Sequence, residues 1–236
     1  MSVGPPARRR AQGMRWMRHG EGLEFERAAF FTDAVFAIAM TLLIVAIAVP
    51  TLRHTSSSSD LLGALDDKKT EFIAFFIGFA VLGNYWLANH RFFGYLGALS
   101  PAAIALSLPY LAFVAWLPFP TALLGTYDRN PVAVSLFAAS SAMVSGFETL
   151  LLRRAQRDGL FRRTIADDAY RHAMRGSALP VLFFVVSIPI AFVETYAAIA
   201  VWFLAVPGEI LLDRAKPDDF DDAFAATRPS EEPETA

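Results

Sequence analysis

Cysteine is absent from the 236 residues, which excludes disulfides and thiolate metal centres. Histidine is scarce: only His19, His54, His90 and His172 occur, with no H-E-x-x-H pair among them. The chain also lacks a G-x-S-x-G elbow, a glycine-rich phosphate loop and a pair of aspartates set within its apolar runs for proteolysis. Enzyme chemistry and cofactor binding therefore have no residues to rest on, and no metal-ligand set is evident. No internal repeat is evident either. Charge is sparse at 19 per cent, and the basic residues lie next to apolar runs, which argues against a nucleic-acid partner.

What the chain has in quantity is apolar sequence. Hydrophobic residues make up 55 per cent, and the mean hydropathy is +0.39. These values point to a polytopic membrane protein of all-α class. The apolar blocks fall near residues 28–50, 71–89, 101–125, 132–152, 177–193 and 195–212. A hydrocarbon core of about 30 Å takes roughly 20 helical residues, so the blocks predict six transmembrane helices. The fifth is short, and a tight turn around Glu194-Thr195 separates it from the sixth. The organisation expected is a basic N-terminal segment over 1–26, a six-helix domain over 27–213, and an acidic tail over 214–236. Arg8-Arg9-Arg10 followed by an apolar run ending in Ala46-Ile47-Ala48 resembles a cleavable signal. The run is longer than a signal core and contains Asp33, so an uncleaved first helix is expected.

Arginine sets the orientation. Six arginines precede Ala28, and Arg153, Arg154, Arg157, Arg162, Arg163, Arg171 and Arg175 lie between spans four and five. With six spans both regions fall on one side, the cytoplasm, together with both termini. The connections on the other side are short or balanced in charge. Residues 217–236 hold seven carboxylates against one arginine, with three prolines, a composition expected to be disordered. The arginine-rich stretch reads first as a positive-inside anchor beside membrane lipids. Ser56 to Ser59 reads as a flexible loop on the opposite side, and LLGALDD after it as a short interfacial helix. Pro109, Pro118, Pro120, Pro180, Pro189 and Pro207 should kink or end helices.

Ionisable groups inside spans carry a functional hypothesis by default. Asp33 is the deepest in span one. It stands about 240° around the helix from Arg27, so the two do not pair on one helix. His90 and Asn89, at the end of span two on the same side, are the expected partners, in a hydrogen-bonded bracket between helices rather than an ion-coordinating site. Glu148 and Glu209 sit near span ends and mark interfaces. Phe92-Phe93-Gly94-Tyr95-Leu96-Gly97 superficially resembles a filter loop but has no pore helix before it.

Periodicity separates a second face. Ala34, Ile38, Thr41, Val45 and Ala48 recur at spacings of 4, 3, 4 and 3, forming one stripe of small and β-branched residues. Asp33 lies about 140° from Ile38 and faces away from it. The stripe suits close helix packing or the lining of a narrow path. One stripe cannot enclose a path, so a pore needs several copies around an axis.

Three stretches together resemble the prokaryotic branch of the transmembrane protein 175 family. Arg27-Ala-Ala-Phe-Phe-Thr-Asp33-Ala-Val-Phe-Ala-Ile-Ala-Met-Thr-Leu-Leu43 is similar to that family's R-x-x-x-F-S-D-x-V-F-A-I-A-x-T-L-L signature. Tyr85-Trp-Leu-Ala-Asn-His-Arg-Phe-Phe93 resembles its Y-W-x-x-H-H-R-x-F, and Leu117-Pro-Phe-Pro-Thr-Ala-Leu-Leu-Gly125 its third-span ending. The resemblance implies a potassium-permeable cation channel of six spans per subunit, assembled as a homotetramer with the first helices lining the pore. It places Ile38 at the main hydrophobic constriction, Thr41 at the threonine linked to selectivity, and Val45 at the next layer outward. Permeant potassium would pass near Thr41 and Ile38. Arg27, Thr32, Asp33, Asn89 and His90 match the polar residues that brace the first helix. Thr32 stands for the usual serine and Asn89 for the first of two histidines.

An apolar ring gates by excluding water, and an ion must shed part of its hydration shell to pass it. Potassium holds that shell less tightly than sodium, so a ring of this kind favours it, with Thr41 hydroxyls replacing part of the loss. The alternative is a proton-coupled small-solute or cation carrier in which Asp33 and His90 titrate during alternating access. A third possibility is a non-conducting scaffold that engages partners through its acidic tail.

Overall fold

The computed structural model describes residues 7–52, 57–163 and 165–214, with the backbone alone for 7–23, 206, 207, 209, 210 and 213. Within these the chain forms the helices α1 (Ala7–Val45), α2 (Ser58–Asp66), α3 (Lys69–Tyr95), α4 (Pro101–Trp116), α5 (Pro118–Thr126), α6 (Pro131–Asp158), α7 (Asp167–Ala191), α8 (Thr195–Phe203) and α9 (Ala205–Arg214). The helix starts follow local chemistry. Ser100 caps α4 by accepting from the Ala103 N–H, and Asn130 caps α6 by accepting from the Val132 N–H. Each cap is followed at once by a proline, whose fixed φ suits the first helical turn and whose missing donor costs nothing there. Gly159 ends α6 with φ of 63°, a left-handed conformation that a side chain would strain.

Among the described residues five helical segments are long and apolar enough to cross a membrane: Glu24–Val45, Lys69–Tyr95, Pro101–Thr126, Pro131–Asp158 and Asp167–Ala191. The third is α4 and α5 in sequence, broken at Leu117 where Pro118 and Pro120 remove backbone donors. Two expectations change. The fifth segment is not short: Asp167 and Asp168 occupy the first turn of α7, stabilise its positive end, and extend it to 25 residues. The sixth apolar block is not one long helix but two short ones, α8 and α9, divided at Leu204. The turn at residues 192–194 is where the sequence places it, and Glu194 caps α8 by accepting from the Tyr196 N–H.

The element at the centre is α6, more than half of whose most apolar stretch (56 per cent) is buried against other helices. Its buried face is built from small and hydroxylic residues, including Ala138, Ser141, Ala142, Ser145 and Thr149. Lipid offers no hydrophobic drive between helices, so such faces hold by close contact and interhelical hydrogen bonds. Tyr85 Oη of α3 donates to the Ser141 carbonyl and shares a 2.8 Å bond with Ser145 Oγ. Thr149 Oγ1 lies 2.8 Å from Ser177 Oγ of α7. The α3–α5 contact is closer still. A Cβ at Gly125 would lie 2.8 Å from Glu71 Cα, and one at Gly78 2.6 Å from Thr121 Cγ2. Gly125→Ala must therefore push two backbones apart, at a cost of about 1–3 kcal/mol. A lower thermal midpoint in detergent checks this, beside Gly83→Ala, which has open space and no expected loss.

Phe25 of α1, Phe93 of α3, the start of α4, the end of α6 and the end of α9 share one end of the molecule. Two short loops are clasped there. Leu96 and Phe161 form an antiparallel bridge, flanked by Gly97 N–H donating to the Leu160 carbonyl at 2.8 Å and Arg162 N–H to the Tyr95 carbonyl at 3.0 Å. Arg162 Nε adds a bond to the Leu96 carbonyl, and Asp158 accepts from both Ser100 and Arg154.

Candidate functional site

The site is the α1 helix and its support. Thr32, Phe36, Ala39 and Leu43 recur at spacings of 4, 3 and 4 and are all buried in the subunit's own core. Phe36 packs its ring 6.2 Å from that of Tyr110 on α4. The opposite face holds Ala34, Ile38, Thr41 and Val45, all exposed, with Ile38 at 59 per cent and Val45 at 72 per cent. Large β-branched side chains on an apolar helix are left open only where something outside the subunit meets them. Ala48 does not share this face. The helix ends at Val45, so helical phase no longer applies three residues later.

Thr41 donates its hydroxyl proton to the Ile38 carbonyl at 2.8 Å. That bond spends the proton within the helix and leaves the oxygen lone pairs as the outward-facing part of the group. Along the exposed face, an aliphatic layer at Ile38 is thus followed about 4.5 Å further by a layer of oxygen, then about 6 Å beyond by Val45.

Asp33 accepts a 2.9 Å hydrogen bond from Trp86 Nε1 of α3. The expected partners, His90 and Asn89, are not its partners. The reason is register. Phe25 of α1 packs edge-on against Phe93 of α3, with ring centroids 5.7 Å apart. The two helices are antiparallel, so advancing roughly 12 Å along α1 to Asp33 means retreating about as far along α3, to Trp86 rather than His90. His90 takes part at one remove, its ring 5.5 Å from that of Trp86. Sequence reasoning passed over Trp86 although it stands inside the Tyr85–Phe93 stretch. An indole, with one donor and no acceptor, is a natural partner for a carboxylate in an apolar span.

Thr32 and Asn89 line one cavity. Both are buried, at 3 and 4 per cent exposure, and both line a cavity of about 20 Å³ between α1, α3 and α4, with Ser107 and Tyr110. Thr32 donates to its own helix at the Ala28 carbonyl. Arg27 is exposed and, among the described residues, has no ion pair. Of the five residues expected to brace α1, the structure joins Asp33 and His90 through Trp86, joins Thr32 and Asn89 at the cavity, and leaves Arg27 apart. Glu209 has no described side chain.

The chain is similar to known proteins in sequence and in fold. Residues 27–118, which contain the second half of α1 and all of α2, α3 and α4, match the family model described as endosomal/lysosomal potassium channel TMEM175. A protein of Streptomyces collinus named as a potassium channel is 32 per cent identical over 182 residues, covering 75 per cent of this chain and 87 per cent of its own. A human protein named endosomal/lysosomal proton channel TMEM175 is 33 per cent identical over 150 residues, which is 58 per cent of this chain and 30 per cent of that one. The crystal structure of a lysosomal potassium-selective channel TMEM175 homolog from Chamaesiphon minutus superposes with a TM-score of 0.69 at 25 per cent identity, covering 80 per cent of this chain and 98 per cent of that one. With its membrane-spanning helices and a relative matched over most of both lengths, this integral membrane protein belongs to the TMEM175 family.

Proposed function

We propose that the protein is a potassium-permeable cation channel, not an enzyme, that conducts passively through a pore lined by α1 from each subunit of a homotetramer. The observation that carries this is the division of α1 into two faces. Thr32, Phe36, Ala39 and Leu43 fix the helix in its own subunit, and Asp33 holds it to α3. Ile38, Thr41 and Val45 are then presented to whatever lies outside. Four such faces around an axis make a ring of isoleucine, a ring of threonine oxygen and a ring of valine. The isoleucine ring is the constriction: water leaves it readily, and an ion crosses it only when part of its shell is replaced. Threonine oxygens with their lone pairs outward supply that replacement, more completely for potassium, whose shell is the looser one.

In this reading α8 and α9 together complete a sixth crossing, the six-helix domain spans 27–213, and the basic segment and acidic tail flank it. Both termini and the arginine-rich linker then face the cytoplasm of a prokaryotic plasma membrane. The relatives named as potassium channels support the substrate class.

The test is current from the purified protein in planar bilayers. With potassium on one side and sodium on the other, the reversal potential should move toward the potassium equilibrium value, with no proton gradient imposed. Slow, saturable flux that appears only under a proton gradient would instead establish the carrier reading with Asp33 and His90. A proton gradient applied to the same bilayer also measures proton permeation, which the human relative's name raises for this chain.

A further inference from the structure

We propose that the cavity between α1, α3 and α4 is a water site, in which one ordered molecule joins Tyr110, Asn89, Thr32 and Ser107 and completes the seat of α1. The group that points to a ligand is Tyr110. Its side chain is buried, at 1 per cent exposure, and its hydroxyl has no hydrogen-bond partner among the described residues. A buried hydroxyl in a folded protein is costly to leave so, and water is the usual partner where no protein group reaches it.

The geometry directs that hydroxyl into the cavity. On α4, Ala103, Ser107 and Tyr110 recur at spacings of 4 and 3, so they share one face, and all three line the cavity. Helical side chains tilt toward the N-terminus of their own helix, which carries the Tyr110 ring toward the turns of Ser107 and Ala103. Contacts on α1 agree. Phe36 lies beside Tyr110, and Thr32, one turn earlier on α1, lines the cavity as Ser107 does on α4.

The polar inventory fits one water. Thr32 Oγ1 and Ser107 Oγ donate to the Ala28 and Ile104 carbonyls of their own helices, at 2.9 and 2.7 Å, so toward the cavity each can only accept. Tyr110 has a proton to give. The Asn89 carboxamide makes no hydrogen bond with another described residue and offers two N–H donors. A water that accepts from Tyr110 and Asn89 and donates to Thr32 and Ser107 uses all four of its bonding directions. The cavity of about 20 Å³ has room for it, since a water takes at least about 10–15 Å³. Phe92, Leu99 and Leu151 close the wall with apolar surface. The site concerns how α1 is seated and stands apart from the conduction reading, whatever path the other face of α1 lines.

X-ray radiolysis of the full-length protein in phosphatidylcholine nanodiscs, in oxygen-18 water, tests this, because hydroxyl radicals formed from an ordered water attack the side chain beside it. Tyr110 should gain the labelled oxygen, while Phe137, equally buried but set among aromatic rings, should not. Asn89→Leu removes the carboxamide at nearly constant volume and should cut Tyr110 labelling about fivefold, the change in occupancy when one hydrogen bond of ordinary strength is lost. Should that variant fail to assemble, Thr32→Val makes the same test. Tyr110→Phe gives an independent readout, since it removes a single oxygen atom. A hydroxyl bonded to water predicts a thermal midpoint lower by about 2–4 °C. An unlabelled Tyr110 in the wild-type protein, or a Tyr110→Phe midpoint equal to or above wild type, would overturn the proposal. It also falls if the Tyr110→Phe loss vanishes in a Glu148→Gln background and persists in Asn89→Leu, since the hydroxyl would then belong to Glu148.

Discussion

Ile38→Asn should raise single-channel conductance about tenfold, which corresponds to roughly 1.4 kcal/mol off the permeation barrier. Ile38 is 59 per cent exposed on a helix whose other side is buried, so the substitution changes the surface offered to the axis and little of the subunit's core. In the pore proposed above, four amides would hold water where four isoleucines would expel it, and an ion that keeps its water crosses more easily. The gain should come with a loss of discrimination, since in the proposed pore potassium and sodium are separated by the partial stripping of the shell. The potassium-to-sodium permeability ratio should fall toward one. Thr41 remains in place in this variant, so loss of selectivity would belong to the apolar ring. An assembled Ile38→Asn protein with wild-type conductance would show that the ion path does not run along this face of α1.

The second large effect is on assembly. Trp86→Phe keeps a six-membered ring and removes the hydrogen bond that the indole gives to Asp33. A hydrogen bond to a charged group contributes about 1.5–3 kcal/mol, and a carboxylate within an apolar span is costly to leave without one. The fraction running as assembled oligomer on size exclusion and the thermal midpoint should both drop. Asp33→Asn should cost less, because an amide oxygen can still accept from the indole. In the double variant, Asp33→Asn should recover part of what Trp86→Phe loses, and that recovery measures the coupling. Those Trp86→Phe channels that do assemble should keep the wild-type permeability ratio. A changed ratio in well-assembled Trp86→Phe protein would move Asp33 from the brace to the ion path.

The pattern of what could be read from sequence follows the range of the interactions. The phase of α1 was legible because helical period is local: spacings of 3 and 4 put Ile38, Thr41 and Val45 on one side, and the structure leaves all three exposed. The break at Leu117 was legible in Pro118 and Pro120 for the same reason. Asp33's partner was not, because it depends on how far α1 and α3 slide past each other. That register is set by Phe25 against Phe93, a contact between residues far apart in the chain. The length of α7 was missed because hydropathy ends where Arg171 and Asp168 begin, while helix formation does not. The 96–161 clasp had no signal in sequence, since two irregular loops pair there through backbone atoms that every residue carries. Residues 214–236, expected as an acidic tail, lie beyond the described helices apart from Arg214 itself.

That clasp has a consequence for how the protein is made. Arg162 and the Leu96 carbonyl it binds are 66 residues apart. At a synthesis rate of about 5–20 residues per second, Leu96 leaves the ribosome roughly 3–13 s before its partner. During that interval the Tyr95 and Leu96 carbonyls and the Gly97 N–H lack the partners they have in the finished fold. The fourth span has to thread and the linker after it has to emerge before the loop closes. The clasp therefore cannot close until residue 162 has been made, well past the middle of the chain.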